Sequence, residues 1–253
     1  MDERLEGGFD GGASLVDRVV RRTAGAWTPA VHALLAHLEA AGFAGAPRAL
    51  GVDADGREMV SFLAGETVGN ERPWPVWTHS SSALVDVARW LRSYHAAVAD
   101  FVPPEGACWR EGEVWQPGMI VAHNDAAPYN AVWNDTGLVG FVDWDMAGPV
   151  RPELDVAWVA FSWTPLHAAH VVAAEGFTDL GSRLPRLELF LREYGWEGTT
   201  DDMLGLIGER LTLQLAVMTA AAASDPAYQR MLAAGRDQDL RVALSQLDAL
   251  RRI

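Results

Sequence analysis

The residues with the clearest chemical potential lie in one segment, His123 to Asp145, which reads HNDAAPYNAVWNDTGLVGFVDWD. It opens with His123-x-Asp125 and reaches Asn130 after four intervening residues. It closes on Asp143-Trp144-Asp145. Between these ends, 132–134 and 138–142 read as short strands joined by the turn residues Asn134-Asp135-Thr136-Gly137. If the strands pair, Asn130 falls opposite 141–143, and Asp143 becomes its neighbour with Asp125 on the loop just before. Carboxylates brought together repel unless a cation sits between them. Mg²⁺ suits such a site, because it takes one or two protein oxygens and completes its shell with water and substrate phosphates.

The elements around this segment must position it. Residues 14–23 (SLVDRVVRRT) read as a short strand region. A helix is predicted from Thr28-Pro29, with Thr28 as N-cap, Val31, Leu34, Leu35 and Leu38 on its apolar face, and Gly42 as its stop. Residues 48–60 read as two strands about a DADG turn at 53–56. The proline-broken stretch 70–78 (NERPWPVWT) marks a boundary, giving portions 1–69 and 70–253. A long helix is predicted over 80–100, with Leu84, Val87, Leu91, Tyr94 and Val98 on one face. Further helices are predicted over 153–161, 184–194, 201–223 (with Thr200 as N-cap) and 226–250. The fold class is α+β, with a small strand-containing N-terminal portion and a larger, mostly helical C-terminal one.

The pattern His-x-Asp-x4-Asn followed by Asp-Trp-Asp resembles the catalytic loop and metal-binding segment of kinase-like phosphotransferases. It is most similar to the aminoglycoside phosphotransferase, or phosphotransferase enzyme, family, whose loop commonly reads H-x-D-x-x-P-x-N; Pro128 stands at the proline. Three further stretches follow the family: GREMVSFLAGE (56–66), ARWLRSYHAA (88–97) and RPELDVAWVAF (151–161). The resemblance implies a two-lobed protein-kinase-like fold. It also implies transfer of the γ-phosphate of ATP or GTP to a hydroxyl of a small molecule, with Mg²⁺ required. Asp125 would be the catalytic aspartate, His123 would brace the loop, and Asn130 and Asp143 would hold the metal. Asp155 would hold the loop from the next helix. Adenine would lie against a hinge at Ser61, Phe62 and Leu63. Asp145 is open between a metal-adjacent role and a turn cap.

One absence cuts across the resemblance. Kinase-like sites place a lysine on a strand, paired with a glutamate on the next helix, and this chain contains no lysine. Arg21 or Arg22 stands at the strand position, and an arginine fork can bind phosphate there. The helix position falls on Val31 or His32, so the lysine–glutamate pair is expected to be missing. Gly7, Gly8, Gly11 and Gly12 are either a reduced phosphate-covering loop or a loose terminus. These departures leave a second expectation open, a kinase-like protein that binds nucleotide or a small ligand without turnover. A metal-dependent hydrolase would need more ligands than the sequence supplies. His167 and His170 are spaced three apart but fit a helix surface better than a metal site.

Composition narrows the partners. The formal net charge of −14 argues against a nucleic-acid partner and suits a cationic substrate, although an acidic balance also serves solubility; the resemblance adds that the acceptor carries a hydroxyl. A single cysteine, Cys108, excludes an internal disulfide. The acidic start does not read as a signal peptide, and the longest apolar run is too short to span a bilayer. The expected location is the cytoplasm, with no membrane partner. Oligomeric state cannot be read from the sequence.

Overall fold

The computed structural model describes residues 3–4, 12–69 and 72–250. Gly7, Gly8 and Gly11 lie outside them. The chain divides into two compact units, residues 1–70 with 90–152, and residues 71–89 with 153–253. The expected boundary after residue 69 falls beside one crossing between the units. However, 90–152, which carries the candidate site, groups with the N-terminal strands.

In the first unit, strands β1 (Glu3–Arg4), β2 (Ser14–Val16), β3 (Val19–Thr23), β4 (Ala49–Val52) and β5 (Arg57–Ser61) form an antiparallel sheet in the order β1-β2-β3-β5-β4. The single strand region read at 14–23 is a hairpin. Asp17 and Arg18 both take positive φ (50° and 63°), the geometry of the tight two-residue turns that match strand twist. Helix α1 (Thr28–Ala40) follows, with Val31, Leu34, Leu35 and Leu38 buried as their spacing predicts. Its cap differs from the expectation: Trp27 is the N-cap, and the Thr28 hydroxyl accepts from the Gly25 N–H at 2.9 Å. At the other end Gly42 turns to φ 73°, and the Phe43 N–H reaches back to the Leu38 carbonyl.

Helix α2 (Ser81–Val98) buries Leu84, Val87, Leu91, Tyr94 and Val98 completely, and the Tyr94 hydroxyl donates to the Val121 carbonyl at 2.5 Å. Val121 lies in β6 (Ile120–Ala122), which pairs with β9 (Gly148–Val150); between them β7 (Ala131–Asn134) pairs with β8 (Gly137–Phe141). This nesting creates the site. Ala122 faces Gly148 and Ala131 faces Phe141, so both intervening segments, 123–130 and 142–147, are held at each end. Gly148 allows the closure, since a Cβ there would lie 1.9 Å from the Glu111 carbonyl oxygen.

The second unit contains α3 (Pro152–Trp163), α4 (Ala169–Ala174), α5 (Arg183–Tyr194), α6 (Thr200–Ala221), α7 (Pro226–Ala233) and α8 (Arg236–Leu250). The capping box of α6 starts one residue earlier than expected. Thr199 and Asp202 exchange side-chain-to-backbone hydrogen bonds. The single helix expected over 226–250 is two, because Gly235 takes φ 75° after α7. No helix among the described residues is long and apolar enough to cross a membrane.

Candidate active site

The loop after β6 is braced by side chains from within it. His123 is buried, and its Nδ1 accepts the Asp125 N–H at 3.2 Å. That contact assigns the ring proton to Nε2, which donates to the Val142 carbonyl at 3.0 Å. Trp144 and Phe141 flank the ring. Asn124 takes φ 60°, and its Nδ2 donates to the carbonyls of Met146 at 3.1 Å and Gly148 at 3.3 Å. Two adjacent side chains therefore tie the first segment to the second.

Asp125 is half-buried. Its Oδ1 accepts from the Tyr129 hydroxyl at 2.6 Å, and its Oδ2 accepts from Asn130 Nδ2 at 2.8 Å. The same Nδ2 also reaches the Asp125 carbonyl at 2.9 Å. Burial pushes the Asp125 pKa up to about 8; the hydrogen bonds from Tyr129 and Asn130 act against this, and the charges of Asp143 and Glu111 add to it. The Val142 N–H donates to the Asn130 carbonyl at 2.9 Å, as the hairpin reading requires. Asp143 follows directly, in a left-handed conformation (φ 62°, ψ 65°) that is strained for a non-glycine residue.

Strand β3 settles which arginine faces this mouth. Alternation puts Arg21 and Arg22 on opposite faces of the sheet. Arg22 Nη1 lies 3.0 Å from Asp143 Oδ1, and its Nη2 lies 2.6 Å from Asp145 Oδ1. Its Nε donates to Glu58 Oε2 at 2.5 Å. Glu58, directly opposite on β5, is 1% exposed, and its other oxygen meets His32 Nε2 at 2.9 Å. Burial alone would lower the Arg22 pKa, but the charges of Asp145, Glu58 and Asp143 outweigh it and raise it. Glu58 is driven the other way. Burial would raise its pKa, and hydrogen bonds and charge from His32 and Arg22 lower it. Burial lifts the Asp145 pKa to about 6; Arg22 opposes this, and Asp143 and Glu58 add to it. Arg110 stacks on the Trp27 ring at 4.4 Å, and its Nη1 lies 3.9 Å from Asp145.

The arginine thus has an acidic partner, supplied by β5 and not by α1. The available signal was the cross-strand pairing of 22 with 58. Trp27, Tyr129 and Arg110 carried no comparable signal. The remaining expected residues lie elsewhere. The Ser61 and Phe62 N–H groups donate to the carbonyls of Arg48 and Arg18, each at 2.9 Å. Asp155 is buried in the first turn of α3. His167 packs against the Phe161 ring at 4.0 Å, whereas His170 bonds Asp239, so the two do not form a site.

The oxygens of Asn130, Asp143 and Asp145 suit a hard cation. Both side-chain contacts of Asn130 use Nδ2 and leave its Oδ1 for that purpose. A guanidinium already neutralises the two carboxylates, so the donor set accepts positive charge.

Comparison with known proteins bears on the family. The profile of the Phosphotransferase enzyme family matches residues 106–190, a span that includes His123–Asn130 and the Asp-Trp-Asp turn. The trifolitoxin immunity protein of Rhizobium leguminosarum bv. trifolii is 36% identical over 193 residues, 73% of this chain and 72% of that one. The chain belongs to the phosphotransferase enzyme family. Among solved structures, an amicoumacin kinase in complex with AMP-PNP, Ca²⁺ and Ami superposes with a TM-score of 0.63 at 10% identity, covering 97% of this chain and 88% of that one. A macrolide 2′-phosphotransferase from Brachybacterium faecium gives 0.58 at 16% identity, covering 92% and 90%. These likenesses establish the kinase-like fold.

Proposed function

We propose that this phosphotransferase moves the γ-phosphate of ATP or GTP to a hydroxyl of a small, cationic, antibiotic-type molecule in the cytoplasm. The observation that carries the reading is the Asp125 carboxylate, held by Tyr129 and Asn130 beside Asp143 and the Arg22 fork. Asp125 takes the proton of the acceptor hydroxyl as that oxygen bonds to the γ-phosphorus. The bond to the bridging oxygen breaks, and the nucleoside diphosphate leaves. Asn130 and Asp143 would hold Mg²⁺, which supplies charge neutralisation on the phosphates. His123 and Asn124 keep the loop in place through their bonds to 142–148. Arg22 would turn its terminal nitrogens to phosphate oxygens. At the hinge the Ser61 and Phe62 N–H groups are already bonded, so base recognition falls to Leu63 and to main-chain carbonyls. The name of the Rhizobium relative supports a role in resistance to an antibiotic.

Nucleotide consumption measured against a panel of aminoglycosides, macrolides and small amino alcohols tests the reading. At least one acceptor should be phosphorylated. Asp125→Asn should lower kcat by about 10²- to 10⁴-fold and leave nucleotide binding intact. No turnover on any acceptor, with Mg²⁺-dependent nucleotide binding retained, would favour the second reading, a binding protein. The Arg22 guanidinium on Asp143, the carboxylate assigned to the metal, is the observation in its favour.

A further inference from the structure

The Arg22 guanidinium is shared among three carboxylates that differ in kind. Asp143 is 42% exposed at its side chain and sits at the mouth of the β7–β8 hairpin; Asp145 is 13% exposed. Glu58 is 1% exposed and lies inside the sheet, opposite Arg22 in register. The fork is divided accordingly. Nε faces Glu58, and the two terminal nitrogens face Asp143 and Asp145. A cation and phosphates arriving at the mouth compete for the terminal nitrogens and for Asp143. They do not compete for the buried Nε edge.

We infer that Glu58 and His32 are positioning residues that hold Arg22 by its Nε edge, so that its terminal nitrogens can pass from Asp143 and Asp145 to the phosphates of the nucleotide. The inference rests on the phosphotransferase reading above. Glu58 has two oxygens, and each has one partner: Oε2 takes Arg22, and Oε1 takes His32 from α1. A carboxylate held by one partner can rotate about its last bond, and the second partner stops that rotation. His32 thereby links the placement of α1 to the direction of the fork. The acid that α1 lacks is supplied by β5, and α1 supplies the residue that fixes it. An arginine suits this division where a lysine ammonium would not. Only the guanidinium has a side nitrogen to anchor while two others remain directed elsewhere.

The test is calorimetric titration of AMP-PNP, with and without Mg²⁺, into wild type, Glu58→Gln, His32→Ala and His32→Gln, with melting temperatures of the unliganded proteins as control. Glu58→Gln should weaken Mg²⁺–AMP-PNP at least tenfold. His32→Ala should weaken it about three- to tenfold, and His32→Gln, which keeps a donor, should restore most of the loss. In turnover, the nucleotide KM should rise and the acceptor KM should stay within twofold. Wild-type affinity in both Glu58→Gln and His32→Ala overturns the inference. If Glu58→Gln does not fold, His32→Ala decides alone, because the His32 side chain is less buried than that of Glu58. Failure of the wild type itself to bind AMP-PNP would instead count against the phosphotransferase reading.

Discussion

Asp125 keeps its carboxylate between two donors of different kinds. Asn130 also bonds the Asp125 carbonyl, so it fixes the loop as well as the charge. The Tyr129 hydroxyl, on a 38% exposed residue, donates to the carboxylate at 2.6 Å. Tyr129→Phe removes that hydrogen bond and should alter the charged state of Asp125. One hydrogen bond is worth roughly 1 kcal/mol, or about a fivefold change in rate. A kcat within twofold of wild type would remove Tyr129 from the chemistry. At this scale the sequence was partly legible. The spacing of His123, Asp125, Asn130 and Asp143 was readable because those residues are close along the chain. The choice between Arg21 and Arg22 was not, since it depends on which face of β3 meets Asp143. Glu58 was hidden for the same reason: 36 residues separate it from Arg22.

Among the helices, α4 and the segment before α2 show how one buried acid can fasten two elements. Glu175, at the C-terminal cap of α4, accepts the Trp74 N–H and the His79 ring at its carbonyl, and its side chain meets Arg72 at 3.1 Å. Burial raises the Glu175 pKa from 4.5 to about 7, against the pull of Arg72 and Arg236, with Asp239 adding to the rise. A carboxyl whose pKa is higher folded than unfolded binds its proton more tightly when folded. Its stabilisation is complete below the unfolded value and is lost as pH rises through about 7. The melting temperature of wild type relative to Glu175→Gln should thus fall between pH 5 and pH 8. A constant difference across that range would exclude the assignment. None of this was legible in the sequence: α4 is six residues long, too short for its period to register, and the regions it fastens are distant in the chain. The longer elements with regular spacing, α1 and α2, matched their expected faces residue for residue.

For the whole molecule, the α+β class was readable from the order of periods along the chain, but the grouping of 90–152 with the strands depends on contacts no local pattern reports. The net charge of −14 needs no structure, and it bears on the acceptor. Thirty-four acids against twenty arginines place a negative field around the protein, which raises the local concentration of a polycation and lowers that of an anion. Added salt shortens the reach of that field from roughly 30 Å at 0.01 M to roughly 10 Å at 0.1 M. If the acceptor is a polyamine sugar, its KM should rise about threefold or more between these conditions. A neutral polyol acceptor should show no such change, and the KM of the anionic nucleotide should hold or fall. Equal salt responses for charged and neutral acceptors would mean that the acidic balance serves solubility alone. The acceptor would then have to be sought by shape and hydroxyl placement around Asp125.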